Sequence, residues 1–142
     1  MRNFFIYIVT SFLYIVTPFV SFLGGFFAYK LILEKVIGQS LGGEANAVLF
    51  WGGIAFFLLG VPIYFGIIYL IDRWVKKLKW LYYPIGCMMA FFIPTTLIAL
   101  AFGSLALLSP EAMLFHSFFL TSGFIFGLCV GGIKSIKSKS AT

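Results

Sequence analysis

Charged residues are the scarcest class in this 142-residue chain. Ten Lys and Arg together with four Asp and Glu make up only 10% of the positions. A soluble domain keeps about a quarter of its residues charged, because its surface must stay in contact with water. With 62% of positions hydrophobic, the composition excludes an ordinary soluble domain and predicts a chain whose main solvent is lipid.

Regular alternation of apolar and polar residues is also missing. The segment FFIYIVTSFLYIV, residues 4–16, shows none, although a membrane-spanning β-strand would require it. Helices that close their own backbone hydrogen bonds are then the remaining option in hydrocarbon. We predict an all-α, single-domain bundle of four transmembrane helices in two antiparallel hairpins, in contact with a lipid bilayer. The predicted spans cover residues 4–29, 47–71, 80–107 and 110–133, and a basic tail, 134–142, is expected to be disordered.

Ionisable and catalytic groups are lacking inside these spans. Every Asp, Glu, Lys and Arg lies in a loop, in a tail or within about one turn of a predicted helix end. A proton-coupled carrier usually needs such a group at membrane depth. The chain also lacks a GxSxG elbow and a His–Glu or paired-Asp constellation. We therefore expect no enzymatic activity and no cofactor.

Cysteine is rare as well. Cys87 and Cys129 both fall inside predicted spans, and neither belongs to a CxxC or another metal-ligand spacing. Cys129 lies nearly four turns from the single histidine, His116. We interpret both thiols as small packing groups and expect no metal site.

The charges that are present predict an orientation. Four spans would place both termini and the central loop, DRWVKKLK, on one side of the membrane. That side carries eight Lys and Arg residues: Arg2, Arg73, Lys76, Lys77, Lys79, Lys134, Lys137 and Lys139. The opposite side carries Lys30 and Lys35. The positive-inside rule then predicts a cell-membrane protein with both termini in the cytoplasm. Because the cations flank spans instead of forming a basic domain, nucleic-acid binding is not expected.

Small residues at helical spacing predict where helices pack closely. The fourth span contains three glycines spaced four apart, and the third span contains a second narrow face with the same spacing. Such faces let neighbouring helix backbones approach each other in lipid. The residues are Gly123, Gly127 and Gly131 in the fourth span, and Thr95, Ala99 and Gly103 in the third.

The first span carries a stripe of small and polar residues. Its members recur at alternating spacings of four and three, and they are Tyr7, Ser11, Tyr14, Pro18, Ser21 and Gly25. In lipid this stripe should face protein. Ordinary helix packing, with hydroxyls bonded across helices or back to their own carbonyls, explains it. A solute pathway lined by the same groups is the alternative.

His116 is the one titratable side chain placed clearly within the bilayer by the predicted spans. At 100° per residue it lies within ~20° of Gly123 and Gly127, on the close-packed side of its helix. Its expected depth is that of Ser21 and Ser104. A neutral histidine bonded to a hydroxyl or a carbonyl accounts for it, and a pH-sensitive gate or a ligand contact is the alternative.

Two functions remain compatible with the sequence. The leading hypothesis is a small membrane protein that binds another membrane protein, or itself, through its helices, as an accessory subunit or a toxin-immunity protein does. The alternative is an oligomeric channel or an uncoupled small-solute transporter whose pathway is lined by hydroxyls. Four short helices enclose little space, so such a pore would need several copies.

Overall fold

Residues 2–42, 45–101 and 109–140 are described by a computed structural model, and within these ranges the chain contains helices and no strand. The helices are numbered in chain order. They are α1 (Arg2–Ile32), α2 (Ala45–Ala55), α3 (Val61–Trp74), α4 (Lys79–Ala101) and α5 (Pro110–Ser140).

Two wide π-helical turns lengthen these helices. Leu33–Ile37 continues α1, and Phe56–Gly60 joins α2 to α3 in one rod. In the second turn the N–H of Val61 donates to the carbonyl of Phe56, five residues back. Pro62, which has no N–H to donate, comes next. The proline is therefore accommodated at the start of α3 without ending the rod.

Four helical stretches are long and apolar enough to cross a membrane, as the sequence predicted. They are Phe4–Ile37, Ala45–Trp74, Lys79–Leu97 and Ala112–Ser138. The all-α four-span fold is thereby confirmed, and the apolar helices indicate a bilayer environment.

The helix boundaries depart from the prediction at two ends. The first span does not stop at residue 29, because the helical backbone continues to Ile37 and ends at Gly38, whose φ of +76° favours glycine. The expected disordered tail is wrong for residues 134–140, which are the last turns of α5. Lysines in the last turns of a helix interact favourably with the partial negative charge of its C-terminus. The predicted end of the third span, 102–107, lies outside the described residues.

Helix α5 occupies the centre of the bundle. It packs along α4 on one side and along α1 on the other, while α3 packs mainly on α4. Gly123 of α5 faces Cys87 of α4, and Gly127 faces Pro84, so the two helices run antiparallel. In the second hairpin the backbones therefore come close together.

Helix α1 meets the second span mainly through aromatic rings. Phe22 lies 5.5 Å from Phe56 and 5.9 Å from Phe57, measured between ring centroids, and Phe19 lies 5.0 Å from Phe57. These rings fill the space between two helices whose backbones stay apart. The core is accordingly aromatic, centred on Tyr64, Phe56 and Phe126, while many large apolar side chains remain on the outer surface, where lipid would cover them.

Candidate functional site

The glycines of α5 lie against α4. A Cβ added at Gly123 would stand 2.6 Å from the Cys87 carbonyl oxygen, and one added at Gly127 would collide with the backbone of Pro84. Gly131 is less crowded, since its added Cβ would be 3.4 Å from the Tyr83 ring. The structure thus places Gly123 and Gly127 in a close contact within the chain, which leaves neither free to receive a partner helix.

The second narrow face is described only in part. Thr95 is buried, and its hydroxyl donates to the carbonyl of Phe91 one turn back. The side chain of Ala99, and the whole of Gly103 and Ser104, lie outside the described parts of the chain. Thr95 is therefore the one residue of this face whose side chain is described.

The buried face of α1 is shifted from the predicted stripe. Pro18, Ser21 and Gly25 are buried as expected, but Tyr7 is 65% exposed and Ser11 is exposed too. The expectation that these two residues face protein is wrong.

Two threonines that the stripe omitted complete the buried face instead. Thr10 is 4% and Thr17 is 3% exposed. The Thr10 hydroxyl donates to the Ile6 carbonyl at 2.9 Å and that of Thr17 to the Leu13 carbonyl at 2.7 Å. A hydroxyl that is hydrogen-bonded to its own helix costs little free energy to bury, whereas the phenol of a tyrosine is better placed where it contacts headgroups and water.

Other buried serine and threonine hydroxyls of the described bundle behave in the same way. Ser21 donates to the Thr17 carbonyl at 2.8 Å, and Thr95 donates to its own helix as well. Because these hydroxyls donate to carbonyls of their own helices, they can be buried without a partner on another helix. Within the described residues, the interior between the helices is filled by aromatic side chains.

Four residues at one end of the bundle form a charged group, here called the Asp72 cluster: Asp72, Lys79, Tyr83 and Lys134. The Tyr83 hydroxyl donates to Asp72 Oδ1 at 2.6 Å, and Lys134 Nζ contacts Oδ2. Lys79 Nζ donates to the Asp72 main-chain carbonyl at 2.9 Å and lies 3.8 Å from Oδ1. Lys134 Nζ also sits 4.9 Å from the centre of the Tyr83 ring. The cluster ties the ends of α3, α4 and α5 together.

Sequence reasoning missed this cluster. Asp72 is the one acid in the central loop DRWVKKLK, and its presence beside four cations was a usable signal for an ion pair. Lys79 lies just across the loop, where Leu78 turns the chain with a φ of +56°. Tyr83 and Lys134 become partners only through the packing of α4 and α5, which local sequence does not reveal.

A polar pair is buried in the middle of the bundle. The Tyr64 hydroxyl and Ser122 Oγ are 2.9 Å apart, and the Tyr64 hydroxyl also lies 3.1 Å from the Phe119 carbonyl. The rings of Phe91 and Phe126 pack against Tyr64 with centroids 5.2 and 5.1 Å away. This pair connects α3 to α5, and both side chains are fully buried.

His116 contacts Thr96 of α4. The distance from Nε2 to Thr96 Oγ1 is 3.4 Å, and the Thr96 hydroxyl donates to the Phe92 carbonyl at 2.6 Å. Because the Thr96 hydrogen is directed to Phe92, Nε2 can contact Thr96 only as a donor, and in a neutral ring of this tautomer Nδ1 would be the acceptor. Nδ1 is buried without a partner in the described part of the chain. Ser21, which the sequence put at the same depth, bonds to Thr17 instead.

Two apolar openings reach the outer surface of the bundle. The first, the α1–α5 groove, has a volume of about 260 Å³ and is lined by Leu13, Val16, Thr17, Val20, Leu128, Cys129, Gly132, Ile133 and Ile136. The second, the α2 crevice, has a volume of about 110 Å³ and is lined by Phe26, Tyr29, Gly52, Ala55, Phe115, Phe118 and Phe119. The walls of both openings are almost entirely apolar, so neither opening resembles a polar pathway or a metal site.

The described residues contain no group of three or more His, Cys, Asp or Glu side chains that could hold a metal ion. Comparison of the chain with protein-family models, with curated proteins and with solved structures finds no match.

Proposed function

We propose that this membrane protein binds another membrane protein through the outer half of its second span, helix α2. In this proposal it resides in the cell membrane with both termini in the cytoplasm, has no enzymatic activity, and serves as an accessory subunit or as an immunity-type protein. The single observation that carries the proposal is the weak packing of α2.

Within the described residues, α2 approaches the other spans less closely than α3, α4 and α5 approach one another. Trp51 and Phe50 are exposed on it, and a Cβ added at Gly52 would meet no described atom within 4 Å. Helix association in lipid depends on van der Waals packing at small residues. Gly52 and the α2 crevice therefore give a partner helix a place to insert a side chain.

The narrow faces on the other helices are already occupied within the bundle. Gly123 and Gly127 are used by α4, and a Cβ at Gly25 would stand 2.7 Å from the Phe118 carbonyl oxygen of α5. These glycines hold the bundle together, so they are not available for a second protein.

A channel or uncoupled transporter is the rival hypothesis. Of the hydroxyls that would line its pathway, those of Ser21, Thr95 and Thr96 donate to carbonyls of their own helices. Tyr7 and Ser11 lie on the outer surface, and no observation on the described residues favours a pore. Purified protein in liposomes separates the two hypotheses, because flux of any ion or solute from a broad panel would support the rival.

Gly52→Leu provides the test of the proposal. The leucine fills the α2 crevice, so we expect the variant to fold but to lose a membrane protein that copurifies with the wild type in mild detergent. Gly132→Leu is the matched control. A Cβ at Gly132 also meets no described atom within 4 Å, but this glycine lines the α1–α5 groove and not the α2 crevice. An unchanged complex in Gly52→Leu, or equal loss in both variants, would contradict the proposal.

A further inference from the structure

The α1–α5 groove has the length of a lipid chain segment. It runs from Leu13 to Val20 on α1 and from Leu128 to Ile136 on α5. At a rise of ~1.5 Å per residue these stretches are about 11 and 12 Å long. The hydrocarbon depth of one leaflet is roughly 15 Å, half of the ~30 Å core. The groove therefore covers most of one leaflet.

The groove is too small to hold a whole helix. Its volume is about 260 Å³, whereas an α-helix about 10–12 Å across fills roughly 900 Å³ over a length of about 11 Å. In its walls the Thr17 hydroxyl already donates to the Leu13 carbonyl, and Gly132 has no side chain. Neither residue therefore requires a polar ligand. Such a groove matches a single flexible hydrocarbon chain.

The surroundings of the groove face lipid as well. Phe12, Ile15 and Phe19, on the outward side of α1 along the same stretch, are all exposed. The groove thus opens sideways toward hydrocarbon and not toward water.

One end of the groove meets the basic end of the bundle. Ile136 is the last residue of α5 that lines it, and Lys134 and Lys137 lie within one turn of Ile136 on the same helix. Lys134 reaches the Asp72 cluster, which brings the central loop to this end. Eight Lys and Arg residues but only one acid, Asp72, belong to the segments gathered here. This charge complements a negative headgroup.

We propose that the α1–α5 groove binds one acyl chain of an anionic phospholipid, taken from the leaflet at the basic end, with the headgroup beside Lys137 of α5. The hydrocarbon chain lies between Val16 and Leu128, and the phosphate lies at the level of Lys137. The site is independent of the α2 crevice and of the proposed protein partner.

Native mass spectrometry of the purified protein tests the site. Detergent-solubilised protein is titrated with phosphatidylglycerol and with phosphatidylcholine that carry the same acyl chains. We expect one phosphatidylglycerol to be retained saturably in preference to phosphatidylcholine. Gly132→Leu and Val16→Phe fill the groove from opposite walls and should both abolish this retention, while Gly52→Leu should keep it.

A charge variant tests the headgroup separately. A basic residue near an anionic surface contributes about 1 kcal/mol, which corresponds to about a fivefold change in affinity. Lys137→Gln should therefore weaken phosphatidylglycerol binding about fivefold and leave phosphatidylcholine unchanged, whereas Lys76→Gln, in the central loop, should have a smaller effect.

Three results would overturn the proposal. They are equal retention of the two lipids by the wild type, undiminished retention in both groove-filling variants, and loss of a copurifying membrane protein in those variants while lipid binding persists. The last result would assign the groove to a protein partner.

Discussion

The glycines of α5 are evenly spaced along part of the helix but have different neighbours. Gly127 lies against the backbone of Pro84, which cannot move aside as a flexible side chain can, whereas Gly132, five residues later, opens into the α1–α5 groove. A substitution at Gly127 therefore tests the α4–α5 hairpin and not the binding of a partner. The residue environment, not the spacing, decides what each glycine does.

We predict that Gly127→Leu strongly destabilises the bundle. Overpacking of a close contact typically costs about 1–3 kcal/mol, and a collision with backbone belongs at the upper end or above it. Thermal unfolding in detergent, followed by circular dichroism, measures the loss. Gly132→Leu is the control and should unfold near the wild-type temperature. A wild-type melting temperature for Gly127→Leu would contradict the close approach of the two helices.

The Asp72 cluster makes a second prediction at the scale of residues. Asp72→Asn keeps an acceptor for the Tyr83 hydroxyl but leaves Lys134 without its counter-charge. Because the Asp72 side chain is about a third exposed, solvent screens the pair, and we expect a loss of about 1 kcal/mol. A double-mutant cycle with Lys134→Gln should show coupling. The same cycle with Lys76→Gln should show none, and equal coupling in both would disprove a specific pair.

At the scale of elements, α5 is the helix on which the others depend. It packs on α4 through glycine, on α1 through Gly25, and on α3 through the bond between Tyr64 and Ser122. Its last turns also reach past the groove, so the basic segment after residue 133 is helix instead of a free tail. Composition alone suggested disorder there because Lys and Ser dominate it. Burial of Ile133 and the cation at the helix end favour order.

Hydrogen exchange tests whether the basic segment after residue 133 is helical or disordered. We predict that the amides of residues 134–138 exchange more slowly than an unstructured chain, since each donates within α5. The loop residue Lys77 serves as an internal reference for fast exchange. If the amides of residues 134–138 exchange as fast as that of Lys77, the tail is disordered and the helical description is wrong.

The bond between Tyr64 and Ser122 gives a prediction about how α3 is held to α5. Tyr64→Phe removes the hydroxyl and leaves Ser122 able to donate to the Phe119 carbonyl, 3.2 Å away. One neutral hydrogen bond is worth about 0.5–1.5 kcal/mol, so we expect a loss in that range with the fold retained. Tyr69→Phe, at an exposed position of α3, is the control for loss of a tyrosine hydroxyl. A loss as small as that of the control would mean that the buried bond contributes nothing.

For the whole molecule, the arrangement of the helices groups the charges at one end. The contact between Asp72 and Lys134 joins the central loop to the end of α5. Gly25 of α1 lies against Phe118, while Leu13 lines a groove with Ile136, so α1 runs antiparallel to α5 and its N-terminal end lies on the same side. The Lys and Arg residues that the sequence assigns to one side of the membrane therefore belong to segments at the same end of the bundle. Which side of the membrane that end faces is still our prediction from the positive-inside rule.

Reporter fusions test the orientation. A reporter placed after Lys77 should remain in the cytoplasm, as should one placed at the C-terminus, because both follow segments rich in Lys. A reporter placed after Ser40 should be exported. An exported reporter after Lys77 would reverse the orientation and place the proposed lipid site in the opposite leaflet.

Much of the architecture could be predicted from sequence because hydrophobic length is a local property. Runs such as residues 4–16 are too apolar and too long for a soluble domain, whatever they pack against. The candidate sites were less predictable. His116 was singled out as a titratable residue, but its contact with Thr96 depends on how α4 lies against α5. The stripe on α1 was misplaced at Tyr7 and Ser11 because spacing does not fix the rotation of the buried face, which passes through Thr10 and Thr17 instead.

The sequence by itself determined that four apolar helices form and where cations flank them, since chain solvation and backbone hydrogen bonding act within each segment. Only the tertiary structure decided that Gly127 meets Pro84, that Asp72 meets Lys134, and that a groove remains between α1 and α5. Those contacts join residues far apart in the chain, and they depend on the rotation and depth of each helix against its neighbours, which lipid solvation leaves open.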